Sequence, residues 1–151
     1  MPRAAPTTPE SRAPESRTRA AARWLLALAY LAAGVLHLAR PAPFIGITPD
    51  WVPAPATVIA LTGIAEILGA IGMLQPRSRP LRRAAGIALA LYAVCVFPAN
   101  INHMILDMDA AHPRLGWGYH VPRMFAQPLL VWLALWTGGA TDWPFGRRRG
   151  S

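Results

Sequence analysis

The chain of 151 residues has the length of one domain, is 54% hydrophobic and carries only 15% charged residues, against about 25% in an average soluble domain. Its net charge is +8 and every cation other than His is an Arg. A basic nucleic-acid domain sets its arginines among aromatics on a folded surface. Here twelve of the fifteen fall in residues 1–23, 75–83 and 142–151, outside long uncharged stretches, which argues against a DNA or RNA partner. The single cysteine, Cys95, excludes an internal disulfide and a multi-cysteine zinc or iron–sulfur site.

Residues 1–23, rich in Pro, Ala, Arg, Ser and Thr without large apolar side chains, read as a disordered tail. Four apolar stretches follow, at about residues 20–39, 55–74, 84–102 and 121–139. Each, as a helix, is roughly 28 Å long, enough to cross the hydrocarbon core. Backbone groups in lipid must pair internally, so the stretches read as helices. The first resembles a signal peptide, but Arg40 and Pro41 stand where a cleavage site would lie. The expected fold is therefore all-α, an integral membrane four-helix bundle over 24–139, with a basic tail at 140–151.

Arginine placement sets the expected topology. The two tails and the 75–83 connection sum to +9, whereas the two other connections, with the ends of the stretches beside them, sum to zero. Both termini are thus expected on the cytoplasmic side of a bacterial inner membrane. Trp24, Trp51, Trp117, Trp136 and Trp143 fall near span ends, as interfacial aromatics do. The Pro-rich connection 40–54 is expected on the membrane surface or over the bundle mouth, and 103–120 as a longer, lid-like loop.

Polar residues inside apolar spans carry the chemistry, because an ionisable group at the bilayer centre costs roughly 2.5–3.5 kcal/mol on insertion scales. Glu66 lies about 16 Å from the outer end of the second stretch. Thr62, Gly63, Gly69, Ala70 and Met73 share its face, which suits close helix packing. It reads either as a proton-carrying or ligand-contacting carboxylate or as a buried structural carboxyl. His37 closes the first stretch, as an interfacial His or a partner of Glu66. Pro98 frees the Val94 carbonyl, beside Asn100. Arg123 and Gln127 share a face at i, i+4. A polar funnel open outward and floored by Glu66 would place His37, Glu66, Asn100, Arg123 and Gln127 together. No catalytic or metal-binding motif is readable. His37 and His103 could in principle ligate a haem, but lone histidines are more often structural.

These residues carry a family resemblance. Gly34-x-x-His37, the Pro41–Pro53 connection, Gly63-Ile-Ala-Glu66-Ile-Leu-Gly69-Ala-Ile-Gly72, Phe97-Pro98-Ala99-Asn100 and Arg123-x-x-x-Gln127 occur in this order. The set resembles the DoxX-like family of small four-span bacterial membrane proteins, over about 24–138. Leu38 stands where that family commonly has Phe, and Phe125 and Ala126 where it often has a Pro. The resemblance implies a subunit associated with redox chemistry or quinone, without autonomous catalysis. It also admits a non-enzymatic scaffold or chaperone-like partner and, less favoured, a small transporter. The implied partners are the lipid bilayer, membrane redox proteins or further copies of the chain.

Overall fold

The computed structural model describes residues 15–145. Among these the fold is all-helical, with no strand. Four long helices, α1 (Arg17–Ala39), α3 (Pro55–Leu74), α4 (Arg79–Met108) and α5 (Gly116–Gly138), pack side by side, and the short α2 (Ala42–Ile45) lies in the first connection. Helices α1 and α3 form one close pair and α4 and α5 another, joined by α3 against α4 and α1 against α5.

Three of these helices, α1, α3 and α4, are long and apolar enough to cross a membrane. Helix α5 has 23 residues, about 34 Å at the α-helical rise. Its His120, Pro122, Arg123, Gln127 and Pro128 dilute its apolar character.

The element ends show what apolar runs do not encode. Helix α1 starts at Arg17, inside the segment read as a tail, because Ser16 accepts a hydrogen bond from the Arg19 N–H as N-cap. Arg17, Arg19 and Arg23 are thus helical; the tail assignment for 1–14 falls outside the described residues, as does that for 146–151. Ser78 caps α4 in the same way through the Leu81 N–H, which adds Arg79–Arg83 to the helix. Helix α4 also runs through Pro98 to Met108, and α5 begins at Gly116. The lid-like loop expected over 103–120 therefore reduces to a connection of residues 109–115.

Two glycine contacts bring the pairs together. A Cβ on Gly34 would lie 2.6 Å from the Gly63 carbonyl oxygen, and one on Gly63 would lie 2.9 Å from the Gly34 carbonyl oxygen. Gly86 and Gly138 make the matching contact between α4 and α5, at 2.9 Å from the Gly86 Cβ position to the Gly138 Cα. Small residues at such crossings let backbones touch. The apolar core, with Leu26, Tyr30, Met73, Leu89 and Ala134 at its centre, fills only the half of the bundle nearest the α1 N-terminus. The other half encloses a cavity.

Candidate functional site

That cavity has a volume of about 440 Å³ and is walled by α1, α3, α4, α5 and the first connection. Phe44, Ile47, Thr48, Trp51 and Val52 from α2 and the Pro-rich segment line one side, so the connection covers the space rather than standing apart from it. Most of the lining is apolar. All five candidate residues, His37, Glu66, Asn100, Arg123 and Gln127, reach the lining, each from a helix carrying otherwise apolar neighbours.

They form three separate hydrogen-bonded groups. At the deepest, His37 Nδ1 and Glu66 Oε2 lie 2.5 Å apart and both side chains are buried, Glu66 with 3% exposure. A contact this short needs a proton between the two atoms, carried by imidazole or by carboxyl. The Gly34–Gly63 crossing creates it: His37 lies one turn beyond Gly34, and Glu66 one turn beyond Gly63, on the facing sides of α1 and α3. The Phe44 ring packs on His37 with centroids 3.9 Å apart.

The second group is an amide chain. Gln127 Nε2 donates to the Ala93 carbonyl, and Asn100 Nδ2 donates to Gln127 Oε1 at 3.0 Å. The sequence points to the Val94 carbonyl as the one freed by Pro98; the carbonyl engaged is that of Ala93, one residue earlier. The link binds α5 to α4 on both sides of the proline.

The third group stands at the outer rim. Arg123 Nη1 donates to His103 Nδ1 at 2.6 Å, and its guanidinium carbon lies 5.7 Å from the centre of the Tyr119 ring. Arg123 therefore has a fixed partner there rather than merely reaching for an interface. Beside it His120, fully buried, shares a hydrogen bond with Asp107 at 3.1 Å, while its Nδ1 has no partner among the described residues. Asp107 also accepts the backbone N–H groups of Arg114, Leu115 and Gly116 at 3.0–3.2 Å. These open the first turn of α5, whose N-cap Leu115 supplies no side-chain acceptor. The Gly116 N–H foremost, with those of Arg114 and Leu115, holds the Asp107 carboxyl at about 2, five residues beyond the apolar stretch that ends at 102.

Sequence reasoning did not single out the two tyrosines. Tyr30 and Tyr92 line the cavity with ring centroids 6.1 Å apart, edge to face, and the Tyr30 hydroxyl is buried without a hydrogen-bond partner among the described residues. Their spacing was readable: Tyr30 stands two turns before His37, and Tyr92 two turns before Asn100, each on the same helix face. Cys95 is exposed and also on the cavity wall. His37 and His103 belong to different groups, each ring already bonded to another residue. Among the described residues no cluster of His, Cys, Asp or Glu has the makings of a metal site.

A helical bundle with a polar-floored cavity between two glycine-contacted pairs is thus the class of structure present. Residues 26–138 match a domain of unknown function (DUF8561), and the chain belongs to that family. No curated protein and no solved structure matches it.

Proposed function

We propose that this chain is a multi-pass membrane protein of DoxX-like architecture whose cavity binds a small amphiphile of the quinone class as part of a membrane redox assembly. In this reading α5 is the fourth span of a four-helix bundle, and the arginine-rich end with both termini faces the cytoplasm of a bacterial inner membrane. The observation that carries it is the convergence of five otherwise costly polar side chains on one mostly apolar cavity. An apolar slot with a few placed polar groups suits a ring with polar substituents, and 440 Å³ lies within the range of small-molecule sites. The unpartnered Tyr30 hydroxyl is one more group for such a ring to satisfy. Glu66 with His37 would hold or exchange a proton beside it.

The experiment is saturable quenching of Trp fluorescence by a short-chain ubiquinone, with Trp51 on the cavity wall as reporter. Glu66→Gln and Gln127→Ala should each weaken binding by about tenfold, the scale of one lost buried hydrogen bond. Unsaturable quenching, or affinity unchanged from the native chain in both variants, would reject the reading. One observation favours a second reading: the Asn100–Gln127–Ala93 chain already pairs polar groups across helices, as interhelical glue in a scaffold would. In that case Glu66→Gln lowers stability or partner recovery and moves no ligand signal.

A further inference from the structure

At the opposite end from the cavity, the N-termini of α1 and α4 and the C-terminus of α5 enclose a second pocket, of about 670 Å³. Arg19, Arg79, Arg82 and Arg83 line it with Glu15 and Asp142. Arg23 reaches it through Glu15, so five guanidinium groups face two carboxylates. The arginines are not alike. Arg19 is fully committed: it donates to the Trp136 and Thr141 carbonyls and to Asp142 at 2.7–3.2 Å, tying the first helix to the last. Arg23 and Arg82 both close on Glu15, the latter at 3.6 Å, and each keeps a buried Nε without a hydrogen-bond partner among the described residues. Arg79 and Arg83 are exposed and pair with no acid among the described residues.

We propose that this pocket binds a phosphate group, and that the Glu15 carboxylate occupies the place of that oxyanion when none is bound. Glu15 shows what the site accepts: one carboxylate held between two guanidinium groups from different helices, with two cations to spare beside it. Burial pushes the Glu15 carboxyl up, yet the hydrogen bond and charge of Arg23, together with the charges of Arg82 and Arg19, outweigh this and leave it below the ordinary value. A phosphate brings more charge and more acceptor oxygens than a carboxylate, and guanidinium forks match its geometry. The N-terminal ends of α1 and α4 add favourable dipoles. The Glu15 side chain is 30% exposed at the bundle end, so its displacement requires no opening of the bundle. The phosphate can come from an anionic phospholipid headgroup or from a free phosphate compound. The site shares no residue with the cavity and does not depend on the quinone reading.

The test uses the full chain in a neutral detergent, with thermal stability followed against added phosphatidylglycerol, phosphatidylcholine or inorganic phosphate, the last against chloride at equal ionic strength. Phosphatidylglycerol should raise the melting temperature saturably where phosphatidylcholine does not. The double variant Arg79→Gln/Arg83→Gln, which breaks no ion pair seen in the fold, should weaken that response by about thirtyfold, roughly fivefold for each cation lost near an anionic headgroup. Glu15→Gln should strengthen it several-fold by removing the internal competitor. Arg77→Gln, exposed and outside the pocket, should leave it unchanged. A response to inorganic phosphate with none specific to phosphatidylglycerol, changed by the same variants, assigns the site to a free phosphate compound. Absence of both responses overturns the proposal, and so does an equal effect of Arg77→Gln.

Discussion

Replacing Gly34 by Ala puts one methyl group into the tightest crossing of the bundle. The new Cβ would lie 2.6 Å from the Gly63 carbonyl oxygen and 2.8 Å from Ile67 Cγ1. The isoleucine can turn, but the carbonyl belongs to the α3 backbone. Ordinary contact begins at 3.4 Å, so α1 and α3 must separate by about 0.8 Å at this point. His37 lies one turn further along the same face, and the same separation stretches its 2.5 Å contact with Glu66 to about 3.3 Å, past good hydrogen-bond length. Overpacking costs roughly 1–3 kcal/mol and the weakened charged hydrogen bond adds to it, while the better helix propensity of Ala returns up to about 1 kcal/mol. A net loss of about 2 kcal/mol follows. Denaturant titration in mixed micelles measures it, and the 15N resonances of the His37 ring report the hydrogen bond directly. Gly118→Ala is the control: a Cβ there meets nothing within 4 Å, so stability should hold or rise. A Gly34→Ala loss below about 0.5 kcal/mol with unchanged His37 resonances would show that the two helices have slack, and that the crossing does not set the His37–Glu66 distance.

Two further outcomes follow from the other hydrogen-bonded groups. Gln127→Ala leaves Asn100 Nδ2 and the Ala93 carbonyl without their partner, and should cost about 1–3 kcal/mol in the same titration, more than Ala substitution at the exposed Leu129 on the same helix. The Asp107 carboxyl is held at about 2, below its unfolded value, chiefly by the Gly116 N–H. Its contribution is therefore complete above the ordinary carboxylate range and is lost as pH falls through about 2. Asp107→Asn should lower the melting temperature at neutral pH and change it little near pH 2, where the native carboxyl is itself protonated, so that the acid limb of the profile flattens below about pH 4; an unchanged acid limb would count against the Asp107 clamp.

The fold was legible to different depths along the chain. Helix α3 covers the same residues as the second apolar stretch, because Pro55 opens it and the apolar run fills it. The ends of α1 and α4 extend into charged sequence, since Ser16 and Ser78 cap turns whose arginines find partners only in the folded chain. Helix α5 shows the limit most clearly. Its first turn is held by Asp107, seven to nine residues back on another helix, and no local N-cap pattern announces that. Among the cavity residues, Glu66, Gln127 and Asn100 stood out because each is a polar group in an apolar run, where desolvation demands a partner. Tyr30 and Tyr92 did not, because a tyrosine in such a run is at home in a core. Which polar residues bond one another depended on helix rotation, fixed by Gly34 against Gly63 and Gly86 against Gly138.

The amide chain at the proline has a direction. A backbone carbonyl only accepts, so the Ala93 oxygen obliges Gln127 to turn its NH₂ toward it. Gln127 then has only its oxygen for Asn100, and Asn100 must answer with Nδ2. Neither amide can flip alone without setting like against like. One main-chain atom thereby dictates the orientation of a side chain two hydrogen bonds away: the Asn100 atom that takes no part in the chain is its oxygen, an acceptor. A guest's hydroxyl matches that oxygen, whereas a guest's bare carbonyl has only the second Nδ2 hydrogen of Asn100 to meet, and in a quinone couple the hydroxyl belongs to the reduced member.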